Sequence, residues 1–157
     1  MKDKIVLRKA DVNDIDQLVD MRIEYLKEDL GEKREKEILS LKPSLKQFFG
    51  KHLNVDVEAF VAECAGKIVS SSFTVYYFRL PHPDFPQGSA GIPINGYTKP
   101  GYRKKGLAGS LLKMSAEYAK RRGVELLNME VTKMGGSVSK EIGFTEIHYI
   151  PVQMRLK

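Results

Sequence analysis

Apolar residues at Ile15, Leu18, Val19, Ile23, Leu26 and Leu30 recur at three- and four-residue steps, the spacing that lines one face of a helix. Asp11 and Asp14 stand ahead of them as a carboxylate pair suited to capping a helix start, and Gly31 follows as a stop. A helix is predicted there, after a short strand at Ile5-Val6-Leu7. Between Glu32 and Leu53 the residues Ile38, Leu41, Leu45, Phe48 and Phe49 keep helical spacing, but Pro43 disfavours helix at Lys42, so two short helical pieces are expected. Ala59–Cys64 and Lys67–Val69 flank Ala65-Gly66 as the arms of a hairpin, with the second arm running on through Phe73, Val75 and Tyr77.

Leu80–Gly91 carries Pro81, Pro83, Pro86 and Gly88 and reads as a loop. Ile92–Thr98 is strand-like but holds Pro93 and Gly96, which a bulged strand accepts and a regular one does not. The period then changes. Leu107, Leu111, Met114 and Tyr118 form one helical stripe, Ala108, Leu112 and Ala119 widen it, Arg121 and Arg122 suit the C-terminal dipole, and Gly123 ends it. Glu125–Val131 reads as a buried strand, and strand, helix, strand in succession makes those two strands parallel. A short helix at Ser137–Glu141, stopped by Gly143, and two closing strands at Thr145–Tyr149 and Val152–Leu156 complete a mixed α/β pattern.

A length of 157 residues fits a single domain, residues 1–157. No uncharged apolar run reaches the roughly 18 residues of a membrane-spanning helix, and the opening Met1-Lys2-Asp3-Lys4 lacks the apolar core of a signal peptide. A soluble, cytoplasmic protein without a membrane partner is expected. Cys64 has no second cysteine to pair with, and His52, His82 and His148 are too scattered for metal-ligand spacing, so neither a disulfide nor a metal site is expected.

The formal charge of +6 suits an anionic ligand without selecting one. Its distribution is more telling: the 32 residues between Asp84 and Glu117 contain no carboxylate, while Lys99, Arg103, Lys104, Lys105 and Lys113 all fall there. Within that stretch Thr98-Lys99-Pro100-Gly101-Tyr102-Arg103-Lys104-Lys105-Gly106-Leu107-Ala108-Gly109-Ser110 leads from a strand into a helix N-terminus. Unpaired N–H groups and the helix dipole make such a turn an anion cradle, and its glycines let backbone approach phosphate closely. The P-loop pattern fails because Leu107-Ala108 stands where Lys-Ser/Thr is needed, and the dinucleotide G-x-G-x-x-G spacing is absent.

The run Arg103-x-x-Gly106-x-Ala108 resembles the Q/R-x-x-G-x-G/A pyrophosphate-binding signature of the GNAT superfamily of N-acetyltransferases. The order of elements along the chain matches that family as well, and Gly143-Phe144 and the 131–135 turn resemble further family features. The resemblance implies a central, mixed, mostly antiparallel sheet with flanking helices. Its parallel pair, Ile92–Thr98 and Glu125–Val131, would splay apart around acetyl-CoA as cosubstrate. It implies that Tyr97 and Thr98 pair with the pantetheine arm through main-chain groups. It also implies that Arg103, Lys104, Lys105, Gly106, Leu107, Ala108, Gly109 and Ser110 hold the pyrophosphate, and that a bulge near Asn95 and Gly96 aims an amide at the thioester carbonyl. An amine acceptor of unidentified kind, on a small molecule or a peptide, would then attack directly.

Many members carry a tyrosine four residues before the glycine of Gly-Phe as proton donor; here that position is Ser139. Glu130 on the splayed strand and Glu24 on the first helix are the carboxylates placed to act as general base. The serine keeps a second reading open, a module that binds acyl-CoA without transferring it. A third, nucleic-acid binding, suits the charge but finds no helix-turn-helix, RNP or zinc pattern behind it. An exposed edge on the closing strands leaves room for a homodimer.

Overall fold

The computed structural model describes residues 3–131 and 136–157, and the 131–135 turn therefore lies almost wholly outside the described residues. Strand β1 (Ile5–Lys9) leads through a 3-10 turn at Val12–Asp14 into helix α1 (Ile15–Leu30), followed by α2 (Glu35–Leu39) and α3 (Lys42–His52). Strands β2 (Val57–Cys64), β3 (Lys67–Phe78) and β4 (Ser89–Thr98) come next, then helix α4 (Leu107–Arg121), a two-residue strand β5 (Leu126–Leu127) and helix α5 (Gly136–Ile142). The five strands form one mixed sheet in the order β1-β2-β3-β4-β5, antiparallel except for the parallel β4–β5 pair.

Alternation along the strands places one set of side chains on each side of the sheet. Val57, Ala59, Val61, Ile68, Phe73 and Tyr97 pack with Leu18, Val19, Met21, Ile23, Leu26, Ile38 and Phe49 from α1 to α3. Phe60, Ala62, Cys64 and Val69 face Leu107 and Leu111 of α4 on the other side, so Cys64 behaves as a small buried hydrophobe.

The predicted start of α1 forms as a capping box. Asp11 Oδ1 accepts from Asn13 N–H at 2.8 Å, and Asp14 Oδ2 accepts from Asp11 N–H at 2.9 Å. Arg8 clamps Asp14 with two donors at 2.7 and 2.8 Å, and this hydrogen bonding is the main reason the Asp14 carboxyl is held below its ordinary range. A depressed carboxyl pKa contributes stability above its unfolded value that is lost as pH falls through the folded value. Asp14→Asn is therefore expected to cost about 2 kcal/mol at neutral pH. In unfolding titrations carried from neutral to acid pH, the gap to wild type should close below the ordinary carboxylate range.

Pro43 does not exclude Lys42 from α3: it lies in the first turn, where its missing N–H would have found no partner. The Ala65-Gly66 hairpin turn forms with φ of 49° and 75°. Strand β4 starts at Ser89, earlier than Ile92, because Ser89–Gly91 continue the ladder with β3 as Phe78↔Ser89, Tyr77↔Ala90 and Tyr76↔Gly91.

The strand expected over Glu125–Val131 is paired only at Leu126 and Leu127, opposite Ala90 and Gly91. Glu125 N–H donates to Ser89 O and Asn128 N–H to Gly91 O, so alternate β4 residues face β5. The next residue in that alternation is Pro93, which has no N–H to offer, and the ladder ends there. Gly91 permits the last close contact, since a Cβ on it would sit 3.0 Å from Leu127 and 3.1 Å from Tyr76. Beyond it, among the described residues, the β5 edge of β4 is open from Ile92 to Thr98.

The two closing strands do not form. Residues after Gly143 carry no strand, and Ile150, Val152, Met154 and Leu156 are between 81 and 92% exposed. Alternating apolar positions need a ladder to dock on, and a two-residue β5 offers almost none.

Candidate active site

Three features meet along the open edge of β4. The first is the predicted bulge. Register slips between Ser71↔Tyr97 and Phe73↔Ile94, leaving Asn95 and Gly96 without ladder partners on β3, and Asn95 adopts a left-handed backbone with φ 56°. Asn95 is 4% exposed, and its Oδ1 accepts from Arg22 Nη1 of α1 at 3.0 Å. Past the bulge, Lys99 N–H donates to Val69 O at 2.9 Å, so the Thr98 N–H turns by alternation toward the open edge.

The second feature is the turn from β4 into α4. Lys104 and Gly106 both take left-handed backbone, with φ of 60° and 73°. Ser110 N–H is the first in α4 to bond back, to Gly106 O at 3.0 Å, which leaves the amides of Leu107, Ala108 and Gly109 unpaired within the helix. A Cβ on Gly106 would meet nothing within 4 Å, so φ and not crowding calls for glycine there. Gly109 has a different reason: a Cβ would lie 3.3 Å from Val138, so its absence lets α5 pack on the start of α4. Arg103 is pinned, with Nε donating to Thr98 O at 2.8 Å and Nη2 to Glu28 Oε2 at 2.6 Å. Lys105 lies over the Tyr102 ring at 5.0 Å.

The third feature was not read from the sequence. A cleft of about 380 Å³ opens beside Tyr97, lined by Glu24, Lys27, Glu28, Glu32 and Glu35. Glu24 Oε1 is 3.7 Å from Lys99 Nζ, so the acidic flank of α1 touches the basic turn at Lys99 and Arg103. Burial, reinforced by Glu24 and Glu28, raises the Tyr97 phenol and keeps it protonated. The i, i+4 spacing of Glu24 and Glu28 signals one helix face, but not which strand that face overlooks.

Of the carboxylates proposed as base, Glu24 lines this cleft, whereas Glu130 is exposed and lies three residues past the paired end of β5. Ser139 is 4% exposed on α5, and its Oγ donates to Gly136 O at 2.9 Å. Arg122 does more than complement a helix dipole. Its Nη1 donates to Oε1 of Glu58 at 3.0 Å, its Nη2 to Val55 O at 2.7 Å, and its guanidinium covers the Tyr76 ring at 4.4 Å. Glu58 is 1% exposed, and Lys9 Nζ reaches its Oε2 at 2.9 Å and the Tyr118 hydroxyl at 3.0 Å.

This fold is shared by many solved acetyltransferases. A predicted acetyltransferase of Clostridium acetobutylicum solved with acetyl-CoA superposes with a TM-score of 0.83 at 25% identity, over 96% of each chain. A GCN5-related N-acetyltransferase of Ralstonia eutropha JMP134 gives 0.81 at 16% identity, over 96% of this chain and 99% of its own. A ribosomal-protein-alanine N-acetyltransferase of Brucella melitensis biovar Abortus gives 0.67 at 18%, over 98 and 100%. No family model and no curated protein sequence matches the chain. The chain therefore has the fold of these acetyltransferases, the GCN5-related one among them.

Proposed function

We propose that this protein is an acetyl-CoA-dependent N-acetyltransferase that passes the acetyl group directly to an amine. The observation that carries the reading is the continuous path from the open β4 edge into the amide cradle of α4. Backbone at Tyr97 and Thr98 offers a strand edge to the pantetheine arm. The amides from Arg103 to Ser110, with Lys104 and Lys105 beside them, suit a pyrophosphate. Acetyl-CoA supplies an activated acetyl thioester.

The remaining chemistry falls to the chain. An amine at neutral pH arrives as an ammonium, which the carboxylates of the Glu24–Glu35 cleft attract. Glu24, beside Tyr97, takes its proton so that the nitrogen lone pair can attack. A peptide N–H at the Asn95-Gly96 bulge stabilises the negative charge that develops on the carbonyl oxygen. The Ser139 proton is committed to Gly136 O, so water carries the second nitrogen proton, released as the tetrahedral adduct collapses to the amide, to the departing thiolate. That same commitment favours the second reading, an acyl-CoA binder without turnover.

Calorimetric titration with acetyl-CoA, followed by an amine screen scored on release of free CoA thiol, tests both. Binding with thiol release supports the transferase, binding without release over a broad screen supports the binder, and absence of binding sinks both. Glu24→Gln is expected to lower kcat about 100-fold at neutral pH, with the loss shrinking at alkaline pH as the acceptor deprotonates unaided. Glu130→Gln, measured beside it, is expected to stay within about threefold of wild type; the reverse ranking would make Glu130 the base.

A further inference from the structure

Asn95 holds three features that each cost free energy. Its backbone is left-handed at φ 56°, a conformation that asparagine accepts at less cost than most residues but that a strand does not ordinarily hold. It is a polar residue only 4% exposed, and its Nδ2 has no hydrogen-bond partner among the described residues. What holds it there comes from α1. Arg22 sits on the helix face that also carries the buried Leu18, Met21 and Leu26, and it spends a donor on Asn95 Oδ1 at 3.0 Å. Arg22 is itself braced over the Tyr25 ring at 5.3 Å. Desolvating a guanidinium to hold a neutral amide is poor stability design, and strain of this kind persists where the geometry is used.

We propose that Arg22 is a positioning residue for acetyl transfer, holding Asn95 in its left-handed conformation so that the bulge N–H faces the open edge of β4. The inference rests on the proposed function. Its physical basis is the rigidity of the peptide unit: the Asn95 ψ angle sets where the Gly96 N–H points, and the plane turns as one body. Without Arg22 the side chain loses its anchor, and Asn95 relaxes toward the extended region ordinary for a strand. The Gly96 N–H then swings away from the edge. The pyrophosphate cradle lies on the far side of Thr98 and is untouched by this change.

The test combines the amide resonance of Gly96 in the ligand-free protein with steady-state kinetics, for Arg22→Met, Arg22→Lys, Asn95→Gly and the Arg22→Met/Asn95→Gly double variant. Arg22→Met should move the Gly96 resonance and lower kcat roughly 10- to 100-fold, the range for a misplaced oxyanion donor. Acetyl-CoA affinity and acceptor KM should stay within about twofold. Arg22→Lys, whose ammonium can still donate to Oδ1, should recover part of the loss. In the Asn95→Gly background Arg22→Met should cost less than about twofold more, because the residue acts only through Asn95.

An undiminished cost in that background, or a loss that appears in acceptor KM, would assign Arg22 to direct acceptor contact and overturn the proposal. So would an unmoved Gly96 resonance. Should Arg22→Met fail to fold, Arg22→Lys and Asn95→Gly carry the same comparison. If the wild type turns over no amine, the proposed function fails, while the ligand-free Gly96 resonance still decides whether the latch exists.

Discussion

Replacing both Lys9 and Arg122 with methionine is expected to destabilise the protein by about 3–5 kcal/mol, read by denaturant unfolding. The reason is what remains. Glu58 is 1% exposed near the start of β2, and its two oxygens lie 3.0 Å from Arg122 and 2.9 Å from Lys9. Both cations are about one-third exposed, so they keep much of their hydration, whereas the carboxylate keeps almost none. Each single substitution leaves Glu58 one partner and should cost about 1–2 kcal/mol, so the double variant should exceed the sum of the singles. Adding Glu58→Leu to the double variant removes the buried charge and should restore stability to within about 1–2 kcal/mol of wild type. A triple variant as unstable as the double would show that packing around Tyr76 and Tyr118, not charge, holds this region.

Gly106→Glu is expected to lower acetyl-CoA affinity by roughly 100-fold or more. Gly106 precedes the three unpaired amides of α4, and a carboxylate there opposes a pyrophosphate where the helix dipole favours one. At about 5 Å and an effective dielectric constant near 20, one such repulsion is on the order of 3 kcal/mol, which is the stated factor. The space around Gly106 is open, so the side chain causes no clash and the folding cost is the left-handed φ of 73° alone. Gly106→Asn is the matched control: asparagine tolerates that conformation and carries no charge, so its affinity should fall far less. Equal losses in the two variants would mean that bulk, and not charge, blocks the cradle.

Local features of this chain were legible in its sequence because their causes lie within a few residues of one another. The 3.6-residue stripes of α1 and α4, the stop at Gly31, the Ala65-Gly66 turn and the Asp11–Asp14 cap are each one turn of helix or one hairpin in extent. Pro93 and Gly96 announced an irregular β4, and the helix-start turn after Thr98 carried its own glycine and charge pattern. The reach of β5 was overestimated because apolarity marks a strand but does not say how far its neighbour can pair with it. That was set by Pro93 on the facing strand, which lacks the N–H needed to continue the ladder. The closing strands failed for a related reason, as their alternation is real but β5 gives them only Leu126 and Leu127 to meet.

The parts of the site that depend on long-range packing were hidden. Lys9 and Tyr118 touch across 109 residues of chain, and Arg22 meets Asn95 across 73. Nothing in the character of Arg122 distinguishes a buried carboxylate partner from a helix dipole until β2 is laid against α4. Likewise, Glu24 and Glu28 are ordinary exposed helix residues in the sequence, and they border a cleft only because α1 crosses β4 beside Tyr97. By itself, then, the sequence determined the elements up to α4, the bulge and the glycine-rich basic turn into α4, all written in periods and in residues with special backbone freedom. Which charged side chains meet, how far β4 stays open and which carboxylate faces the open edge were decided by tertiary packing, because side chains distant in sequence acquire neighbours only when the sheet and helices close on one another.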